Sequence, residues 1–184
     1  MKSFLHWIAT AATLTFSVPM QASQNDARLP MLFEKLKSAE TLEEALPIEK
    51  LIWDIWLMSG NGELDALILK GLQAMGRESN EEALAAFSKV TEVQPDFAEA
   101  WNKRATVNYL LGRYQDSVID IQKTLSLEPR HFGALSGLGL INLAIGHERE
   151  ALKAFEAALK IHPHLPGAKT YIEELRKTVH GKQV

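Results

Sequence analysis

The 184-residue chain contains no cysteine. That absence excludes disulfides, thiol catalysis, thiolate metal sites and lipid attachment through sulfur. It also lacks a basic block. Its 20 Lys and Arg are dispersed among 23 Asp and Glu, for a net charge of −3. Nucleic acid is therefore not an expected partner. No Ser stands in a Gly-x-Ser-x-Gly setting, so the nucleophile elbow of the hydrolases is missing. Apolar runs are short: Phe4 to Val18 and Phe132 to Gly146 both fall below the roughly 18 to 20 residues a spanning helix needs.

What is present begins with an export pattern. Lys2 supplies a positive start, Phe4 to Val18 an apolar core, and Pro19 breaks it. Met20-Gln21-Ala22 then offers a small residue before a cut between Ala22 and Ser23. Charge, apolar core and small-residue exit, in that order, make a secretory signal over 1–22. An uncleaved anchor is the competing reading, and the core is short for one. Removing the segment costs one basic residue, Lys2, and leaves the mature chain slightly more acidic. Export without cysteine suits a bacterial periplasm, where no disulfide is compulsory.

The stretch from His131 to His147 has no Asp, Glu, Lys or Arg. A phosphate loop would need Lys and a hydroxyl residue after its last Gly, but Leu138 and Leu140 follow Gly137 and Gly139. A dinucleotide fingerprint would need a third Gly where Asn142 stands. A helix sealed between neighbours remains, and internal periodicity supports it.

Pro95, Pro129 and Pro163 are spaced 34 residues apart. Phe87, Ile121 and Phe155 keep that step, as do Ala83, Ser117 and Ala151, and Val90, Thr124 and Ala158. A fixed period of this size marks stacked supersecondary units. The units fall at 64–97, 98–131 and 132–165. Each holds two helical patterns. In the second, Trp101, Ala105 and Asn108 recur at helical spacing until Gly112 stops them. Val118, Ile121 and Leu125 form the next stripe, which Pro129 ends. Small residues at Gly71, Ala105 and Gly139 stand where two helix axes would cross. Ser79 with Glu82, and Asp96 with Glu99, have capping spacing.

These residues resemble the tetratricopeptide repeat family, whose consensus is Trp, Leu, Gly, Tyr, Ala, Phe, Ala and Pro at fixed points of a helix–turn–helix. The second unit matches with Trp101, Ala105, Gly112, Tyr114 and Pro129. The third matches with Leu138, Gly139, Gly146, Ala151, Phe155, Ala158 and Pro163, and the first with Gly71, Ala83, Phe87 and Pro95. Lys70, Arg104, Asn108, Ser117 and Thr124 depart from the pattern and are expected to weaken individual contacts. The resemblance implies an all-α fold, an α-solenoid of antiparallel helix pairs.

Terminal units need covers. In 166–184, Ala168, Tyr171, Ile172 and Leu175 share one stripe, which predicts a capping helix and tail. Before the repeats, 23–63 holds two further helices. Thr41 and Glu44 make a capping box, and Pro47 predicts a late start or a bend. Trp53 and Trp56 lie 34 residues before Phe87 and Val90. Residues 30–63 therefore read as a degenerate repeat, its tryptophans either filling the seam with the first full repeat or anchoring a partner.

No catalytic set emerges and no cofactor is implied. His162 and His164 could offer two imidazoles to a metal, but no third ligand is apparent, and the bland reading puts both in a solvated turn, with His131 in the matching one. No metal site is therefore expected. The resemblance implies that the first helix of each unit lines a concave groove. The groove residues are then Ile68, Leu69, Leu72 and Met75; Asn102, Lys103, Thr106 and Tyr109; and Ser136, Leu140 and Leu143, with Gly133 and Gly137 leaving room. Chaperone-binding members hold a peptide C-terminus with a Lys, Arg and Asn clamp, for which only Asn102 and Lys103 look suitable here. A mostly apolar groove with a polar centre suits an apolar peptide or amphipathic helix. The expectation is a non-catalytic periplasmic interaction module, a scaffold or assembly factor of the cell envelope. Two alternatives stand beside it: a homo-oligomer with the groove filled by its own chain, and a metal-binding protein or enzyme using the His turns.

Overall fold

The computed structural model describes residues 23–181, so the export segment read over 1–22 lies outside the described residues. Within that span, after a single 3-10 turn at Ser23–Asn25, come nine helices: α1 (Leu29–Ser38), α2 (Leu42–Trp56), α3 (Gly62–Gly76), α4 (Asn80–Val93), α5 (Ala98–Leu110), α6 (Tyr114–Leu127), α7 (Phe132–Ala144), α8 (Glu148–Ile161) and α9 (Ala168–Gly181). No strand occurs among the described residues. The pairs α3–α4, α5–α6 and α7–α8 are the three units, stacked in order, and α9 packs on α8.

The 34-residue step recurs in the turns. Between the helices of a pair, Glu78, Gly112 and Gly146 occupy the left-handed region at φ 59, 72 and 78°. Each time the chain closes with a six-residue bond, as from Arg113 N–H to the Asn108 carbonyl at 2.8 Å. Glycine takes that conformation freely; Glu78 does not. Between units, Phe97, His131 and Leu165 donate N–H to the carbonyls of Gln94, Glu128 and His162. Pro95, Pro129 and Pro163 thus sit second in three equivalent turns, where their fixed φ is pre-set.

The first and third helix crossings need glycine. A Cβ on Gly71 would lie 2.6 Å from the Phe87 ring, and one on Gly139 would lie 2.6 Å from Phe155. The uncharged helix is α7: Ala134 and Ile141 share a core with Ala105 of α5 and Ile121 of α6, and Phe132 shares one with Phe155 of α8 and with the first hairpin.

Two capping expectations fail and one holds. Neither Ser79 nor Phe97, the N-cap residues of α4 and α5, makes a side-chain cap bond, and Glu99 is buried instead of capping. Thr41 does accept from Glu44 N–H at 3.2 Å, with Glu44 accepting in return from Glu40 N–H. α2 begins there and continues through Pro47.

The departures from the repeat pattern in the second unit form one polar network. Arg104 donates twice to Asp120, at 2.9 and 2.6 Å, and once to Thr91. Asn108 donates to the same carboxylate at 3.0 Å. Ser117 donates to the Ala105 carbonyl and Thr124 to the Asp120 carbonyl. The expected weakening is corrected here, because each polar group meets another and none is left to bear the cost of burial unpaired.

The larger correction concerns the first hairpin. Trp53 and Trp56 do not fill the seam with the first repeat. Trp56 is 1% exposed and stacks on His131 of the third unit's leading turn, with ring centroids 4.1 Å apart and planes 9° apart. Both indoles also meet Phe132 at 5.3 Å. Leu29, Leu36, Ile52 and Trp56 share a core with Phe132, Phe155 and Leu165, whereas Leu64, Ile68 and Phe87 belong to a separate one. The hairpin therefore lies back along the row of inter-unit turns. Gln24 bonds the Asp96 carbonyl, Arg130 covers the Phe33 ring, and His164 donates to the Ala39 carbonyl. Aromatic bulk drives this choice. Two indoles find a deep apolar seat at α7 that the small first crossing, closed by Phe87 on Gly71, does not offer.

Candidate functional groove

The first helices of the second and third units, α5 and α7, enclose a cavity of about 240 Å³. Its wall is polar where Asn102, Thr106, Tyr109 and Ser136 face it, and apolar at Ile121, Leu140, Ile141 and Leu165. Gly133 and Gly137 line it on α7; a Cβ on Gly133 would lie 2.6 Å from the Trp53 ring and one on Gly137 3.4 Å from Ile121. Among the described residues, no Asp, Glu, Lys, Arg or His lines it.

Of the groove residues read from the sequence, Asn102, Thr106, Tyr109, Ser136 and Leu140 come together in this cavity. The others are placed elsewhere. Ile68 is not on the groove at all; it is a core residue beside Leu64 and Phe87. Its position falls on the stripe where α3 meets α4. Leu72 and Met75 pack half-buried on that same core, Leu69 is 55% exposed, and Leu143 rests against the core of α8 and α9.

Lys103 is engaged. Its Nζ lies 2.9 Å from Glu99 Oε1 and 5.1 Å from the centroid of the Trp53 ring. Glu99 is wholly buried and also accepts from His131 Nε2 at 2.8 Å and Asn102 Nδ2 at 3.0 Å. His131 Nδ1 accepts from Ala134 N–H, which leaves the ring proton on Nε2 and caps α7 with a side chain. Burial alone would push the Glu99 carboxyl up, but the charge of Lys103 and the His131 bond outweigh it and hold the group at about 2. Glu49 is likewise held below the usual carboxylate range, chiefly by His162 at 3.2 Å.

These pairs overturn the solvated-turn reading of the histidines: His131 and His162 are both wholly buried. One signal was available. Gln94, Glu128 and His162 are the residues before the three prolines, and Phe97, His131 and Leu165 follow those prolines by two. A turn that repeats at every unit junction packs against something at every junction. Among the described residues, no group of three or more His, Cys, Asp or Glu is placed to hold a metal.

Three stacked helix hairpins with a 34-residue repeat and a glycine or alanine at each crossing define a repeat solenoid. The chain belongs to the tetratricopeptide repeat family. The family description "Tetratricopeptide repeat" matches residues 68–125. A TPR repeat-containing protein of Rhizobium etli is 34% identical over 177 residues, covering 95% of this chain and 87% of that one. The Hsp70–Hsp90 organizing protein of Triticum aestivum is 29% identical over 59% of this chain, which spans only 19% of it. Among solved structures, the first TPR of Spaghetti bound to the HSP90 peptide SRMEEVD superposes with a TM-score of 0.61 at 20% identity, over 64% of this chain and 93% of that one. MamA gives 0.61 at 20%, over 75% and 78%. As a member of this family the chain is a protein-interaction module.

Proposed function

We propose that the chain is an exported, non-catalytic interaction module of the cell envelope that grips an apolar peptide, or one face of an amphipathic helix, between α5 and α7. The carrying observation is the uncharged cavity lined on α7 by Gly133 and Gly137. A cavity of about 150 Å³ lined by apolar groups already admits a benzene ring, so this one has room for a large side chain of a ligand. The hydroxyl and amide groups on one wall supply the few oriented polar contacts such sites use. A handful of buried anchors of this kind gives micromolar binding, about −8 kcal/mol.

The test is a paired substitution. Thr106→Glu with Ser136→Glu places two carboxylates in the cavity and leaves the crossings alone. Affinity capture from the periplasm should lose its specific partners with this variant, while far-UV circular dichroism stays unchanged. Capture at the wild-type level would end the groove reading. Export rests on Lys2, the Phe4–Val18 core and Ala22. No helix among the described residues is long and apolar enough to cross a membrane. Fractionation and N-terminal sequencing are expected to find Ser23 as the first residue of periplasmic protein; a cytoplasmic chain still starting at Met1 would refute export.

Self-association is the second reading, and one observation favours it. Met31, Leu51 and Met58 are each more than half exposed around a cleft of about 350 Å³ on the outer side of α1 and α2. Light scattering over a range of concentrations separates the two: a constant monomer mass rules this reading out.

A further inference from the structure

Lys103 is the single cationic side chain among the groove positions, and the fold engages it internally. Its ammonium is 2.9 Å from a carboxylate that is itself wholly buried, and only 19% of its side chain is exposed. The Trp53 ring covers it at 5.1 Å. That ring is seated by Gly133, where a Cβ would lie 2.6 Å from Trp53 Cη2. Glu99 cannot swing away to release the lysine, because His131 and Asn102 fix its other oxygen at 2.8 and 3.0 Å.

We infer that Glu99 and Trp53 set the specificity of the groove: they cancel Lys103, so that the groove admits a neutral apolar segment and turns away an acidic peptide end. This rests on the groove reading above and adds the ligand's charge to it. An incoming carboxylate would meet a lysine already paired, the buried charge of Glu99 behind it, and the electron-rich face of an indole in front. Attraction and repulsion then nearly cancel, and the cost of stripping water from the carboxylate is left unmatched. A neutral segment bears no such cost. Specificity of this kind comes from the repulsive element as much as from the attractive one.

The experiment titrates two labelled peptides against the mature chain and its Glu99→Gln variant. One probe is SRMEEVD, acidic with a free C-terminus. The other is a capped, uncharged amphipathic helix of Leu, Ala and Gln. The substituted amide keeps an oxygen to accept from His131 but carries no charge, so the charge of Lys103 is no longer offset by a neighbouring carboxylate. The wild type should bind the acidic heptapeptide more weakly than about 1 mM. Glu99→Gln should strengthen that binding by about tenfold at low salt and lose the gain at about 1 M salt. Wild-type binding of the heptapeptide tighter than about 1 mM overturns the inference and needs no variant, so it decides even where Glu99→Gln fails to fold. A folded Glu99→Gln whose heptapeptide affinity does not rise also overturns it. Failure of the neutral helix to bind any form counts against the groove reading alone, since the heptapeptide arms are read separately.

Discussion

At the scale of single residues, the crossings and the buried carboxylate carry the sharpest consequences. Gly139→Leu drives a branched side chain into Phe155, whose ring already stands 2.6 Å from the position of a Cβ. Overpacking of this kind costs about 1–3 kcal/mol, and urea unfolding of the variant should show the loss. An unchanged midpoint would mean that α7 and α8 cross elsewhere. Glu99 links stability to pH. Its carboxyl falls from the usual 4.5 to about 2 on folding, so its contribution is complete above about pH 4.5 and fades as pH drops toward 2. The melting temperature should therefore fall across that window more steeply in the wild type than in Glu99→Gln. Parallel acid profiles would show that the carboxylate is not held as described. The small residues at the crossings, Gly71, Ala105 and Gly139, were legible in the sequence because a 34-residue step repeats them. Glu99 was not. A charged residue on the first turn of a helix reads as a cap or a solvated face, and only the return of His131 from the next junction makes it a buried partner.

At the scale of elements, the second unit shows how substitutions compensate as a group. Arg104 stands where the family places Leu, yet Arg104→Leu should destabilise the protein by about 3 kcal/mol or more. It strands the Asp120 carboxylate, which is 1% exposed, with Asn108 as its remaining side-chain donor. Calorimetry checks this; a gain in melting temperature would mean the consensus residue outweighs the pair. Read one position at a time, Arg104, Asn108, Ser117 and Thr124 look like erosion of a repeat. Their joint logic depends on α5 facing α6 at known register, which periodicity supplies but single-residue comparison does not. The helices themselves were legible from the 3.6-residue stripes and the Gly and Pro stops. The seat of α2 was not, since the 34-residue register of Trp53 and Trp56 pointed to a neighbour in sequence and the indoles chose a distant one in space.

At the scale of the whole molecule, that choice alters how the solenoid comes apart. A repeat array held only by nearest neighbours frays from its ends. Here the first hairpin shares a core with the third unit, α7–α8, and with α9. Native-state hydrogen exchange should find α1 and α2 protected as well as α7 and α8, opening together with them. Earlier exchange of α1 and α2 would show the hairpin to be loosely held.

The same embrace fixes the unit count. In an open array an extra hairpin can be spliced in, and every junction simply shifts along by one. In this chain the span from Gln24, whose amide bonds the Asp96 carbonyl, through Trp56 on His131, to Ala39, whose carbonyl accepts from His164, acts as a gauge laid against three consecutive junctions. A spliced unit would carry His131 and Phe132 out from under their indoles or leave the gauge one notch short. Growth by duplication, the ordinary route by which such arrays lengthen, is closed to this one unless its opening hairpin is lost or remade at the same stroke.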